Sequence, residues 1–286
     1  MSVTKAAFKA VGIAVFLSPA WAFASQMPAV SGAGAGAGAA DMKPAFTLYS
    51  SDKCPYAQRT WIAARELGVP FDFHAVELGK DNREDWFLKL NPLGKVPTLV
   101  CGDDVVYESL VVNEYLAEVF QPGGEHNAAP LMPNTPALRA KARVMAQRSN
   151  DLVTAYFTYL SNKDEEQEAG KRETFEKELR TLDDWAAAAA GGGEPCGWLC
   201  GVKGEGSMTL ADMAYFPFLE RIDATLKPFK GWGLSELGVP ALIAWMDKCR
   251  AQDSVAGTLK DPVIWTELYK KFLGANYFER AGMVKK

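Results

Sequence analysis

Residues 48–61 read LYSSDKCPYAQRTW, and the fold is decided at the junction in the middle of this stretch. A short apolar run stops at small polar residues, and Cys54 and Pro55 then open a segment with helical spacing. Proline suits the first turn of a helix and glycine its end, so Pro55 and Gly68 predict a helix that closes at Leu67. The stretch therefore predicts a strand followed at once by a helix, with a thiol at the joint.

A thiol at a helix N-terminus is a candidate nucleophile. Unpaired amides and the helix dipole favour negative charge there, and such placement lowers a cysteine pKa from ~8.5 into the range ~3.5–7.5. We therefore expect Cys54 to be a thiolate rather than a small buried filler, the alternative. The motif is CPYA and not CxxC, so no second cysteine is placed to resolve a mixed disulfide. An external thiol must complete the reaction, which points to glutathione.

The rest of residues 45–121 alternates strand and helix patterns. The segment FDFHAVEL alternates like a strand, a short helix ends before Asn91, and a Gly-Asp-Asp turn joins two further strands. A helix follows from Ser109, which is suited to cap it. The predicted order is βαβαββα, and its first βαβ unit requires a parallel, right-handed crossover.

No strand pattern follows the linker at 122–134, and residues 135–275 are predicted to be all-helical. Thr135 and Pro136 form a helix start, and the apolar residues after them recur with helical spacing. Thr209 and Asp212 form a capping box, to which we assign a folding role. Residues 276–286 are expected to be a tail.

The first residues do not resemble part of a folded domain. Residues 1–24 carry two lysines, a short apolar run and small residues suited to a cleavage site, as in a signal or transit peptide. The alternative is that this apolar segment is an N-terminal membrane anchor. Residues 25–44 form a Gly/Ala-rich spacer. The expected route is a plastid or secretory one, and cytoplasmic if the segment is not used, without stable membrane association of the mature protein.

Composition narrows the function classes. The formal net charge is −4 without basic blocks, so nucleic acid is not expected as a partner. The two histidines, His74 and His126, are far apart and predict no metal site. Five cysteines at irregular spacing imply no disulfide framework, although Cys196 and Cys200 form a local pair whose role stays open.

Three further segments suit a peptide ligand such as glutathione. A cis bond between Val96 and Pro97 would turn the Val96 backbone outward to pair with the ligand. Glu108 can pair with an ammonium group, and Ser109 at a helix start suits a carboxylate. The basic candidates for the other carboxylate are Arg83 and Lys95, although either could be an ordinary surface charge.

The motifs CPYAQRTW, NPLGKVPTLV, ESLVVNEYL and TLADMAYFPFLERI, in this order, resemble a cytosolic-type glutathione transferase. Cysteine at the motif's reactive position is similar to the lambda, omega and dehydroascorbate reductase classes. The resemblance implies a thioredoxin-like N-terminal domain (βαβαββα) followed by an all-helical C-terminal domain. It also implies that Cys54 forms a mixed disulfide with glutathione, and that the ligand is bound by Arg83, Lys95, Val96, Pro97, Glu108 and Ser109.

The implied function is a glutathione-dependent thiol transferase or reductase that acts on a small oxidised or glutathionylated substrate without a metal. Dehydroascorbate reductase is one alternative, and a non-enzymatic chloride-channel-like or ligand-carrier protein on the same fold is another. An acceptor pocket is expected from the helical domain, near Tyr156, Tyr159 and Trp232. The oligomeric state implied by the resemblance is a monomer or a homodimer.

Overall fold

The computed structural model describes residues 44–120, 122, 128–191, 198–200 and 207–285. The predicted targeting segment and all but the last residue of the Gly/Ala spacer lie outside the described residues, and so does Cys196. The targeting route therefore stays a prediction, and the role of the Cys196–Cys200 pair stays open.

The N-terminal domain contains a four-stranded sheet in the order β2-β1-β3-β4. Its elements are β1 (Thr47–Ser50), α1 (Pro55–Leu67), β2 (Asp72–Ala75), a 3-10 turn (Asp81–Arg83), α2 (Asp85–Leu90), β3 (Thr98–Cys101), β4 (Asp104–Tyr107) and α3 (Ser109–Val119). Strands β1 and β2 are parallel, and β3 runs antiparallel to both β1 and β4. The predicted order βαβαββα and the parallel first unit are confirmed.

The register of the sheet places the apolar side chains of β1 in the domain core. Leu48 pairs with Phe73 on one side and with Leu99 on the other. Leu48 and Leu99 are both fully buried, together with Ile62 of α1 and Val112 of α3. Burying such side chains contributes about 1.5–3 kcal/mol each, so α1 and α3 are held on the sheet by this layer.

The rest of the described chain is helical, as the loss of strand patterns predicted. The helices are α4 (Pro136–Leu160), α5 (Glu165–Gly191), α6 (Leu210–Lys230), α7 (Leu234–Leu237), α8 (Pro240–Arg250), α9 (Asp253–Ala256), α10 (Pro262–Gly274) and α11 (Tyr277–Arg280). The Thr135 side chain accepts a hydrogen bond from the Leu138 amide at 3.3 Å, which confirms the predicted start of α4. Within the described residues, no helix combines the length and the apolar character needed to cross a membrane.

The expected tail is part of the helical domain. Phe278 in α11 is buried, and its ring stacks on Phe157 of α4 with 4.3 Å between centroids. Met283 and Val284 pack against the same core, and the Lys285 amide donates to the Thr158 hydroxyl at 3.0 Å. The sequence pattern did not predict a helix here, because the segment has too few residues to show a helical period.

Asp212, at the start of α6, connects three parts of the helical domain. Its carboxylate accepts hydrogen bonds from the amide and hydroxyl of Thr209 at 2.9 and 2.8 Å. It also accepts from the Leu199 amide at 2.9 Å and from the Trp245 indole at 2.8 Å. The capping box therefore has the structural role expected of it, and this carboxylate, which is fully buried, also ties α6 to α8.

Replacing Asp212 with alanine should destabilise the protein strongly. The change leaves buried donors of Thr209, Leu199 and Trp245 without an acceptor, and each costs about 1–3 kcal/mol. We expect a loss of about 3 kcal/mol or more in the free energy of unfolding, measured by urea denaturation. The control is Asp253→Ala, at an exposed helix start, which should cost less than about 1 kcal/mol. Equal losses in the two variants would contradict this role for Asp212.

Candidate active site

Cys54 occupies the position that caps the N-terminus of α1. Its backbone is extended, with φ −90° and ψ 119°, and its carbonyl accepts the first helical hydrogen bond from Gln58 at 3.0 Å. Pro55 is the first helical residue, and Gly68 ends the helix in the left-handed region at φ 71°. The strand-to-helix joint therefore places the thiol as the sequence predicted.

The ionisation of Cys54 differs from the expectation. The amides of Ala57 and Tyr56 lower the pKa of the thiol, as do the positive charges of Arg221 and Arg59. Burial of the sulfur is the largest effect, however, and it raises the pKa above the ordinary value of a cysteine. The prediction of a lowered pKa is wrong, because it considered the helix end and not the surface packed over it.

The loop before β3 is held by one buried side chain. The Asn91 amide group donates to the Lys95 carbonyl at 2.9 Å and to the Thr98 hydroxyl at 3.0 Å. The peptide bond between Val96 and Pro97 is cis, as predicted. Val96 is buried in the small apolar cluster against which Cys54 packs, and it precedes β3, outside the strand ladder.

Gly94 fits this loop because no side chain has room there. Its φ is +60°, and a Cβ atom would lie 2.8 Å from the Asn82 carbonyl oxygen. The Asn82 side chain in turn donates to the Gly94 carbonyl at 2.7 Å. The sequence analysis did not single out Asn82, which supports the loop that carries Lys95 and Val96.

The structure brings Lys95 together with Glu108. The Lys95 Nζ lies 3.9 Å from Glu108 Oε1, and both side chains are mostly exposed. Glu108 has φ 72°, in the left-handed region that favours glycine, and such backbone outliers cluster at ligand sites. Ser109 was expected to cap α3, but the cap is Glu108. Ser109 is the first helical residue and is buried, and its hydroxyl accepts a hydrogen bond from Arg59 Nη1 at 3.4 Å.

Arg83 lies on the surface at the end of the 3-10 turn. Its amide donates to the Lys80 carbonyl at 2.9 Å. The described hydrogen bonds and ion pairs do not connect its side chain to Lys95, Val96 or Glu108, and its predicted contact with glutathione stays a prediction.

The expected acceptor residues are core residues. Tyr156 and Tyr159 are buried, and the Trp232 indole donates to the Tyr159 hydroxyl at 2.8 Å. Tyr159 also stacks on Phe175, with 5.8 Å between ring centroids. Their contacts lie within the helical domain, and an acceptor pocket near these three residues stays a prediction.

Other groups, which the sequence analysis missed, face the sulfur. The thiol interacts electrostatically with side chains of α1, α6, α10 and α11, namely Tyr56, Arg59, Arg221, Tyr269 and Tyr277. Burial is the largest cause of the raised pKa of each of the three tyrosines. The signal in the sequence was the charged pair Glu220 and Arg221 inside the otherwise apolar stretch FPFLERI. The site thus combines a thiol, two cations and three neutral phenols.

Nothing in the described part of the chain groups three or more metal-ligating side chains.

Comparison with known proteins identifies the family. The family model "Glutathione S-transferase, N-terminal domain" matches residues 53–119, and the model for the C-terminal domain matches residues 168–248. Glutathione S-transferase U19 of Arabidopsis thaliana is 33% identical over 225 residues, which cover 76% of this chain and 93% of that protein. The chain belongs to the glutathione S-transferase family. The thioredoxin-like and all-helical architecture inferred from the motifs is confirmed, and so is the assignment as a glutathione transferase.

Two further matches in this family carry other class names. Glutathione S-transferase L3 of Arabidopsis thaliana is 29% identical over 226 residues, which cover 78% of this chain and 86% of that protein. The crystal structure of glutathione transferase Omega 3C from Trametes versicolor superposes with a TM-score of 0.66 at 26% identity, covering 82% of this chain and 93% of that one. The relatives of this chain within the family thus carry names of several glutathione transferase classes.

The raised pKa of Cys54 predicts how its reactivity depends on pH. Because only the thiolate reacts with iodoacetamide, the alkylation rate should keep rising through pH 8.5, the ordinary pKa of cysteine. The measurement is the rate of adduct formation on the Cys54 peptide by mass spectrometry, with a Cys54→Ser variant to identify signals from the other cysteines. A rate that levels off below pH 7 would show instead that the helix end dominates over burial.

Proposed function

We propose that this glutathione S-transferase is a glutathione-dependent thiol transferase or reductase of the lambda or omega kind, with Cys54 as nucleophile. The single observation that carries the proposal is a cysteine at the cap of α1 whose sulfur is faced by two amides and two guanidinium groups. A thiol so placed can capture the sulfur of glutathione as a disulfide. A transferase that conjugates glutathione to an electrophile must instead keep that sulfur free.

The surroundings of Cys54 support a binding site for glutathione. The Val96 backbone can pair with the cysteinyl unit of the ligand. Lys95 and Glu108 offer one charge of each sign, and their exposed ion pair contributes at most about 1 kcal/mol. A ligand with both carboxylate and ammonium groups can therefore replace that pair at little cost. Ser109 at the start of α3 suits the γ-glutamyl carboxylate, and Arg83 suits the glycyl carboxylate.

The proposed reaction consists of two exchanges of disulfide bonds. The Cys54 thiolate attacks the glutathionyl sulfur of a substrate disulfide, and the substrate leaves as a thiolate that takes up a proton. A second glutathione, as its thiolate, then attacks the mixed disulfide and releases oxidised glutathione with the Cys54 thiolate. One disulfide is consumed and one is formed, so that glutathione supplies the electrons. Only the thiolate of Cys54 can start this cycle. Burial raises the pKa of the thiol and so reduces the fraction that is ionised.

Two alternatives predict different results in an assay. A dehydroascorbate reductase would use the same cysteine and glutathione but would turn over dehydroascorbate faster than a glutathionylated thiol. A carrier or chloride-channel-like protein would show neither activity. The class names of the relatives do not favour one cysteine class, so Cys54 carries this part of the proposal.

A Cys54→Ser variant should lose thiol transfer. We expect at least a hundredfold fall in the rate of reduction of a glutathionylated small thiol by glutathione, because a hydroxyl at this place cannot form the mixed disulfide. The matched control is Cys101→Ser, at a half-buried cysteine of β3, which should keep most of the activity. Full activity in Cys54→Ser would move the chemistry to another residue.

A further inference from the structure

Arg221 reaches from the helical domain to the turn that carries Cys54. Its side chain is completely buried. Nη1 donates to Gln58 Oε1 at 2.6 Å and to the Pro217 carbonyl at 2.6 Å, and Nη2 donates to the Lys53 carbonyl at 3.4 Å. The guanidinium therefore contacts the residue just before Cys54 and the residue four positions after it.

The guanidinium is held rigidly, but its charge is only partly neutralised. It lies 3.8 Å above the ring of Trp265, and its Nε is buried with no hydrogen-bond partner among the described residues. Glu220 approaches Nη1 at 3.5 Å, the longest of the Nη1 contacts. The Glu220 carboxylate also accepts from the Gln58 amide at 2.8 Å and from the Trp265 indole at 3.1 Å, which divides its charge among several donors.

We propose that Arg221 is a positioning residue for Cys54, which fixes the first turn of α1 from the helical domain and supplies the positive charge that stabilises the thiolate. The inference rests on the proposed function in that it takes Cys54 as the nucleophile. It goes further by making reactivity depend on the contact between the two domains. The positive charge of Arg221 lowers the pKa of Cys54, because an opposite charge close to a titrating group favours its charged form.

The other groups that face the thiol do not replace Arg221. Burial raises the pKa of the tyrosines at 56, 269 and 277, and a phenol is neutral or anionic, so none of them supplies a positive charge to the thiolate. Arg59 also lowers the pKa of Cys54, but less than Arg221 does. Its guanidinium donates to the Ala214 carbonyl at 2.9 Å, to the Ser149 hydroxyl at 2.8 Å and to the Ser109 hydroxyl at 3.4 Å, and none of these acceptors lies in the turn that carries Cys54.

The test is the pH profile of Cys54 alkylation in an Arg221→Gln variant, read on the Cys54 peptide by mass spectrometry. Loss of the charge should raise the apparent pKa of Cys54 by about one unit and slow its alkylation at pH 7 about tenfold. The matched control is Arg172→Gln, which removes an arginine that lies 4.6 Å above Trp232 elsewhere in the helical domain. That control should leave the profile unchanged. An unchanged profile in folded Arg221→Gln would overturn the inference.

A second variant changes the same charge in the opposite direction. Glu220→Gln keeps an oxygen for the Trp265 indole but removes the carboxylate next to Arg221. The charge of Arg221 is then less neutralised, so the pKa of Cys54 should fall. An unchanged or higher pKa of Cys54 in Glu220→Gln would overturn the inference. If Arg221→Gln does not show a native circular dichroism spectrum, the result for Glu220→Gln alone decides whether the inference holds.

The alkylation profile separates this inference from the proposed function, because it needs no glutathione. If the wild-type protein fails to transfer thiols while both variants shift the pKa as stated, the inference stands and the proposed function fails. If the wild-type protein transfers thiols and neither variant shifts the pKa, the inference fails and the proposed function stands.

Discussion

The docking of α1 against the helical domain is the contact on which the rest of the structure depends. The Gln58 side chain donates to Glu220 at 2.8 Å and to the Thr258 hydroxyl at 3.1 Å, and all three residues are buried. The next residue, Arg59, is almost completely buried and donates to the Ala214 carbonyl. These bonds begin four residues after Cys54, so the contact that joins the domains also forms the surroundings of the thiol.

Two opposing effects on the thiol come from this one contact. Packing α6, α10 and α11 over the start of α1 removes water from the sulfur, which disfavours the thiolate. The same packing brings in Arg221, while α1 contributes Arg59 and the amides of its first turn. The reactivity of Cys54 thus depends on the balance between burial, which raises its pKa, and the amides and guanidinium groups, which lower it. A ligand or a substitution that alters the domain contact should change it more than a change at the exposed loop.

Local sequence signals predicted the elements that are fixed by local chemistry. Pro55 and Gly68 bound α1 because they act through backbone geometry, and the cap at Thr209 and Asp212 acts between residues three apart. The cis bond between Val96 and Pro97 was also predicted from the sequence. By contrast, the spacing of residues could not show that Glu108 rather than Ser109 caps α3, since that depends on a left-handed backbone at Glu108.

The parts that were not predicted depend on contacts distant in sequence. Tyr56 and Tyr277 meet at the thiol from segments more than two hundred residues apart. Tyr159 and Trp232 have a similar aromatic character but bond to each other in the core. The pKa of Cys54 was mispredicted for the same reason, because the helix end is visible in the sequence and the layer that buries it is not.

The central claim is that Cys54 captures the sulfur of glutathione as a disulfide. The most direct measurement is a crystal structure of the protein after exposure to oxidised glutathione. We expect a bond of about 2.05 Å between Cys54 Sγ and the glutathione sulfur, with the cysteinyl backbone of the ligand paired to Val96. Glutathione bound there with its sulfur more than about 3 Å from Cys54 Sγ, or bonded to another cysteine, would contradict it.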